Sequence, residues 1–342
     1  MQTSTRIAAL VLLTSCAPNR LASSSMIADG GGRDAAVASD LGTSLDAALA
    51  ADAALLVDAG PVADAGLVDS SLADASLGLD ASSDSGALSF ASEGCGVAQP
   101  IGERTLSMTV RGEERTYKVF IQDGYDPTRP VPIVMHFHGC SSSFDFAFRL
   151  HMRQGVHAAF GAGAVFVYPQ GLANSGCSAG WEMSNEGKDV EFVERIRAEV
   201  SAQFCIDTRP MVITGSSYGG DFVNQYSCAR PETVLIAVAQ AMSPWDSSAC
   251  HGPVPMVLAY ALDDPYFSSF VGPGFVASRD FWRTQNGCAM TSTAEAPSPC
   301  VRYDGCGANP LITCELSEGG HDAFPADFGA NLHRWYLERL TP

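Results

Sequence analysis

From Ala17 to Glu93 the chain has no aromatic residue before Phe90, no lysine and no cysteine. A segment without large apolar side chains cannot bury enough surface to offset the entropy of ordering it, so these 77 residues hold no folded domain. Nowhere does the chain carry the roughly 20 consecutive apolar residues of a transmembrane helix. It also has no C-x-x-C pair, and its cysteines are irregularly spaced, which argues against a zinc site. An excess of basic residues is missing too. The formal charge of −18 divides into −9 for residues 1–93 (12 acids, 3 arginines) and −9 for the remainder (26 acids, 17 bases), which argues against nucleic acid as a partner.

What residues 17–93 do have is Ala, Asp, Ser, Gly, Leu and Val in quantity. Asp34, Asp40, Asp46, Asp52, Asp58 and Asp64 recur every six residues. Six residues turn a helix by about 240°, which spreads the aspartates over three faces and leaves no apolar stripe to dock. A hexapeptide β-solenoid is the structured alternative, opposed by the small apolar residues and the lack of a glycine register. The composition therefore predicts a disordered, self-repelling acidic tether. Before it, Arg6 and the apolar run Ile7–Leu13 read as an export signal, too short to span a bilayer. The ending Leu13-Thr14-Ser15-Cys16 resembles a bacterial lipobox, which implies an acylated Cys16 as membrane anchor. Ordinary signal cleavage near Ala17 is the alternative. The expected division is a signal segment 1–16, a tether 17–93 and a folded domain 94–342, exported to the cell surface or beyond.

Ten cysteines remain between Cys95 and Cys314, and an even count in an exported chain implies disulfides. Their pairing is open, although Cys288, Cys300, Cys306 and Cys314 are close enough in sequence to staple one loop. About 249 residues suit one domain. The runs 106–110 and 115–121 read as an antiparallel pair joined by a turn at 111–114. The near-continuous apolar runs 132–137, 164–168, 211–214, 234–238 and 256–261 are of the kind that a parallel sheet buries on both faces. Phe192, Ile196, Val200 and Phe204 recur at helical spacing, as do Leu332, Trp335 and Tyr336. Alternating strands and helices predict an α/β fold, a mainly parallel doubly wound sheet covered on both faces.

The stretch "VITGSSYGGDF" contains one frame of G-x-S-x-G, Gly215 to Gly219, centred on Ser217. A nucleophile elbow needs this spacing because a strand must reverse into a helix within a few residues while presenting the serine outward. A simple flexible turn competes until partners for the serine are found. The serine needs a base, and the base needs an orienting carboxylate. Of seven histidines, His136 and His138 share a strand end, a pairing that would suit a metal only with a matching ligand cluster, and none follows downstream. His151, His157 and His333 sit in helix-like stretches where a packed or solvated ring is expected, and His251 stands beside Gly252 and Pro253 in a loop. His321, in "EGGHDAFP", lies in a glycine-flanked loop between the strand 311–316 and the last helix, free to reach a sheet edge. An acid should emerge between the two, and Asp263-Asp264-Pro265 follows the strand 256–261 directly. Asp264 is the first choice, Asp263 the reserve. The amides of Tyr218 and of Cys140, in "IVMHFHGCSS", are placed to hold an oxyanion. Neither a metal nor a cofactor is called for.

These motifs together resemble the secreted α/β-hydrolase esterases of the carbohydrate esterase family 1 type: feruloyl esterases, acetylxylan esterases and polyhydroxybutyrate depolymerases. The resemblance covers roughly residues 94–342 and is carried by "GCG", "HFHGC", "VYPQG", "DVEFVERI", "IDTRPMVITGSSYGG", "LDDP" and "GGHDAFP" in this order. It implies Ser217 as nucleophile, Asp264 as orienter, His321 as base, Cys140 and Tyr218 as oxyanion donors, and an ester-bearing polysaccharide or polyester as substrate. Tyr260-Ala261 replaces the usual His-Gly before the acid, and Asp322-Ala323 stands where a Thr-Trp pair is usual, both near the expected acyl pocket. Trp181 is a candidate platform for an aromatic acyl group or a sugar, with a core tryptophan as the alternative, and His138 is a further substrate-binding candidate. Feruloyl or related plant cell-wall esters are the favoured substrates. Polyhydroxybutyrate is set against by the absence of a separate polymer-binding domain, and a surface lipoprotein that kept the fold only for binding is the non-enzymatic alternative.

Overall fold

A computed structural model describes residues 90–174 and 176–341. The signal segment, Cys16 and the repeat lie outside them. Phe90 to Glu93, counted above with the tether, instead join the domain: the Ser92 N–H donates to the Ile206 carbonyl at 2.9 Å, and the buried Ser92 hydroxyl donates to the Phe204 carbonyl at 2.7 Å. The neighbouring disulfide Cys95–Cys205 clamps the same two segments.

Ten strands form one sheet. Its centre is the parallel series β4 (Val165–Pro169), β3 (Ile133–Phe137), β7 (Met211–Ser216), β8 (Val234–Gln240), β9 (Met256–Ala261) and β12 (Leu311–Leu316), in that spatial order. The expected hairpin, β1 (Gly102–Val110) with β2 (Glu113–Ile121), pairs Val110 with Glu113 and extends one edge antiparallel to β4. At the other edge β11 (Cys300–Tyr303) and β10 (Ser292–Ala294) add two antiparallel strands not foreseen from the sequence. A separate short hairpin joins β5 (Leu172–Asn174) to β6 (Cys177–Gly180).

Side chains alternate across a strand, so the parallel strands feed two cores. Met135, Ile213, Ala237 and Leu258 pack with Phe192 and Ile196 of α3 (Lys188–Gln203), Phe222 of α4 (Tyr218–Ala229) and Phe275 of α5 (Gly272–Gln285). Val134, Val212, Val238 and Val257 pack on the opposite face with Ala147 of α1 (Phe144–Arg153), Val156 of α2 (Val156–Phe160), and Leu332 and Trp335 of α6 (Phe328–Leu340). The fold is thus an α/β-hydrolase sheet, and all six central strands direct their carboxyl ends to one edge, where such sheets keep their sites. Five disulfides brace it. Cys288–Cys306 and Cys300–Cys314 close the cluster seen in the sequence, Cys228–Cys250 ties the end of α4 to the loop before β9, and Cys140–Cys177 lies beside the site.

Candidate active site

Strand β7 ends at Ser216, and α4 begins at Tyr218. The residue between them, Ser217, has φ 55° and ψ −128°, a region that costs a non-glycine residue on the order of 1–3 kcal/mol and persists only where its surroundings enforce it. The flanking glycines permit it sterically. A Cβ at Gly215 would lie 2.3 Å from the Gly219 carbonyl oxygen, and a Cβ at Gly219 would lie 2.0 Å from that of Phe137. The strand and the helix can pass this closely only without those side chains. The Ser217 N–H donates to the Gln240 carbonyl at 2.8 Å, and the Ser217 carbonyl accepts from Gly220 at 2.7 Å. This is a strand–elbow–helix, not a flexible turn.

The two aspartates are placed differently. Asp264, whose side chain is wholly buried, sets Oδ2 2.7 Å from His321 Nδ1, while its Oδ1 accepts the Tyr266 N–H at 2.8 Å. Asp263 is exposed and does other work: its carboxylate accepts the N–H groups of Gly320 at 2.8 Å and Gly319 at 3.1 Å. Those two bonds hold the Asp263 carboxyl below the usual range and shape the loop that carries His321. Gln240, at the end of β8, supplies a third restraint that sequence reasoning missed. Its Nε2 donates to the His321 carbonyl at 2.8 Å, so one buried residue holds the backbone of both Ser217 and His321. A polar residue closing the apolar run "VLIAVAQ" at the carboxyl edge was the available signal.

Ser217 and His321 face one cleft of about 480 Å³, lined also by Gly139, Cys140, Phe146, Tyr266 and Phe270. Among the described residues no hydrogen bond joins Ser217 Oγ to His321. The backbone at Gly139 runs past the serine so closely that a Cβ there would meet Ser217 Cβ at 3.2 Å. Two aromatic rings form a wall: Tyr266 stands edge-on to the His321 ring at 5.0 Å and stacks on Phe270 at 5.2 Å.

His138 and Trp181, proposed above as substrate contacts, are not on that wall. Both are fully buried. Trp181 stacks on Phe222 at 5.0 Å and lies edge-on to Phe137, and its Nε1–H donates to the His138 carbonyl at 2.8 Å. His138 Nε2 accepts the Gly171 N–H at 3.0 Å, so its proton sits on Nδ1 and is donated to the Gly139 carbonyl at 2.7 Å. Burial holds this imidazole below its usual pKa, in the neutral form that such a relay requires. The two groups shape the loop instead of touching substrate. In a trans peptide the C=O and N–H point in opposite directions, so anchoring the Gly139 carbonyl on His138 aims the Cys140 N–H away from the core. The Cys140–Cys177 disulfide and the bond from Ser141 N–H to the Ala179 carbonyl, 2.8 Å, tie that loop to the β5–β6 hairpin. Neither the Cys140 nor the Tyr218 N–H donates to another group among the described residues.

Of the other histidines, His136, His151 and His157 are buried, His333 is half-buried and His251 is exposed. His151 bridges Thr214 Oγ1 at 2.9 Å and the Tyr168 hydroxyl at 3.1 Å, His136 meets Thr214 at 2.8 Å, and His157 meets Tyr168 at 2.6 Å. Burial lowers His136 to about 3 and His157 to about 4, and pushes His151 well down. Of the two departures from the esterase pattern, Asp322 does line the cleft. Tyr260 does not: it donates to Glu315 at 2.9 Å and borders a separate hollow with Phe267 and Val276.

Fold and site together define an α/β-hydrolase. Feruloyl esterase C of Emericella nidulans is 28% identical over 250 residues, which span 70% of this chain and 87% of that protein. Feruloyl esterase D of Neurospora crassa is 29% identical over 258 residues, 70% of this chain and 85% of the other. Among solved structures, the acetyl xylan esterase from Aspergillus awamori superposes with a TM-score of 0.51 over 68% of this chain and 99% of that one, at 13% identity, and so bears out the fold. No family model matches. The resemblance to esterases of the carbohydrate esterase family 1 type, read from the motifs, is borne out by these relatives.

Proposed function

We propose that the chain hydrolyses feruloyl or related esters of plant cell-wall polysaccharides through an acyl-serine intermediate. The chain is a carboxylic ester hydrolase by its similarity to the feruloyl esterases; the serine mechanism and the acyl group are the proposal. One observation carries it: His321, bonded to a buried Asp264, shares a cleft with the strained Ser217. Asp264 keeps the His321 proton on Nδ1, which leaves Nε2 free to take the Ser217 proton as Oγ attacks the ester carbonyl. Negative charge gathers on the carbonyl oxygen, where the uncommitted N–H groups of Cys140 and Tyr218 receive it. Each such donor is worth about 3 kcal/mol in the transition state. The imidazolium then protonates the departing alcohol, and a water activated by the same nitrogen releases the acid.

The rings of Phe146, Tyr266 and Phe270 around the cleft support an aromatic acyl group, since offset or edge-on ring pairs add about 0.5–1.5 kcal/mol beyond the area they bury. The five disulfides support maturation in an oxidising compartment; export with a lipid anchor on Cys16 belongs to the same proposal. The test is a panel of methyl ferulate, a short-chain nitrophenyl ester, acetylated xylan and polyhydroxybutyrate film. The ferulate ester should be cleaved with the highest kcat/KM. Ser217→Ala should lose several orders of magnitude, and Ser216→Ala, altered one residue before the elbow, far less. Hydrolysis of the film alone would overturn the substrate, and equal losses in the two serine variants would overturn the nucleophile.

A further inference from the structure

A hollow beside the cleft has no role in the chemistry described so far. It measures about 710 Å³, lies between α1, α2 and the segment that follows His321, and has Arg153, Gln154, Asp322, Asp327, Phe324 and Phe328 on its walls. Its size is that of small-molecule sites, about 300–1,000 Å³. Asp322 lines both this hollow and the cleft of Ser217. Helix α1 serves both as well, presenting Phe146 to the cleft and Leu150 and Arg153 to the hollow.

The Arg153 guanidinium lies over the Phe146 ring at 5.8 Å, and the polar groups here otherwise lack partners. Among the described residues, Arg153 has no ion pair, the carboxylates of Asp322 and Asp327 accept no hydrogen bond, and both amide atoms of Gln154 are buried without a bond. Arg153 and both aspartates are exposed, so water satisfies them at little cost. The Gln154 amide is different, because a buried polar group without a bond is costly. The charged side chains of Arg153, Asp322 and Asp327 beside the half-buried Phe324 make a surface that can bond hydroxyl groups while an apolar ring face rests on carbon. With two carboxylates against one guanidinium, the hollow disfavours an anionic occupant.

We infer that this hollow binds the carbohydrate half of the ester, the alcohol that leaves. The inference rests on the ester-hydrolase reading above and adds direction to it. His321 must protonate the departing oxygen, so the alcohol lies on the histidine's side of the scissile bond. Asp322, the next residue, is the shared wall through which a sugar chain passes into the hollow. The aromatic wall of Tyr266 and Phe270 then holds the acyl half, and the two halves of the substrate occupy two differently built surfaces.

Arg153→Ala and Asp327→Asn test this. Asp327 has φ 49°, and asparagine tolerates that left-handed conformation, so the second variant removes charge without straining the backbone. Two esters of one acid are compared, whichever acid the enzyme cleaves best: its methyl ester and its ester on an arabinoxylan oligosaccharide. The ratio of kcat/KM for the sugar ester to that for the methyl ester should fall about tenfold in Arg153→Ala, the loss expected when one hydrogen bond to a charged group is removed, and about fivefold in Asp327→Asn, where a neutral amide replaces the charged acceptor. Binding of the unesterified oligosaccharide, measured calorimetrically on the full chain carrying Ser217→Ala, should weaken by the corresponding factor when either substitution is added. An unchanged ratio together with unchanged oligosaccharide binding would overturn the inference. Failure of the ester-hydrolase reading would look different, as loss of turnover on no ester in the Ser217→Ala protein.

Discussion

Replacing Asp264 by asparagine keeps the shape of the site and should still cost nearly all of its turnover, for a reason visible in two hydrogen bonds. The carboxylate accepts twice, Oδ2 from His321 Nδ1 at 2.7 Å and Oδ1 from the Tyr266 N–H at 2.8 Å. A carboxamide has one acceptor and one donor. The Tyr266 amide can only donate, so the carboxamide oxygen must face it and the NH2 group must face His321. Nδ1 then has to accept, and the imidazole proton moves to Nε2, the atom that should deprotonate Ser217. The wrong tautomer is worth about 10⁴ in kcat in serine hydrolases with this triad, or roughly 5.5 kcal/mol of transition-state stabilisation. In Asp263→Asn the asparagine oxygen can keep one of the two bonds to Gly319 and Gly320. The His321 loop shifts, the tautomer does not, and turnover should fall about tenfold at most. The assay is steady-state hydrolysis of a short-chain nitrophenyl ester at pH 7.5, with thermal melting as a control for folding. Retention of a tenth of the activity in Asp264→Asn, or a larger loss in Asp263→Asn, would refute the reasoning.

Acid should destabilise the domain through its buried histidines, beginning below about pH 6.5. His136 and His157 fall from about 6.5 when unfolded to about 3 and about 4 when folded. Their folded values are depressed, so the stability they confer is complete above pH 6.5 and is lost as pH falls toward 4. At pH 5 each costs about 2 kcal/mol by linkage, while Asp221, raised to about 6 by burial, returns only about 1.4 kcal/mol. Urea melts at pH 7.5 and pH 5 should therefore differ by at least about 2 kcal/mol, and equal midpoints would contradict the neutral buried histidines. Gly219→Ala should abolish soluble expression or lower the melting temperature by many degrees, since its Cβ would sit 2.0 Å from the Phe137 carbonyl oxygen and overpacking of this kind costs about 1–3 kcal/mol or more. A variant that melts like the parent would mean that the elbow is looser than described.

The parts of the molecule that could be read from the sequence are those where one local rule decides the outcome. The parallel strands announced themselves as short β-branched runs such as "VPIVMHF" and "MVITG", because a strand buried on both faces needs apolar residues at every position. The elbow was legible because sterics leave only glycine at positions 215 and 219, and His321 and Asp264 because chain order and strand ends confine the search. The edge strands β10 and β11 were not. Ser292 to Ala294 are exposed and carry no apolar alternation, and the disulfide Cys300–Cys314 joins β11 to β12, a pairing that the sequence leaves open. Helix α5 was hidden by its opening Gly272-Pro273-Gly274, where Gly274 is required because a Cβ would lie 2.1 Å from the Met242 carbonyl oxygen.

Trp181 and His138 show the limit most clearly. Both residue types favour a mouth where one end is wet, and nothing local says otherwise. What buries them is a relay assembled from three distant pieces: Gly171 donates to His138, His138 donates to Gly139, and Trp181 donates to the His138 carbonyl. The residues that look like substrate contacts thus act one layer deeper, by setting the direction of the Cys140 N–H. The same logic applies to Asp263 and Gln240, each of which bonds the backbone of the His321 loop. The residues of the proposed triad could be picked out by spacing because chemistry restricts their identity, whereas the residues that hold their backbone are chosen by contacts that exist only once the sheet has closed.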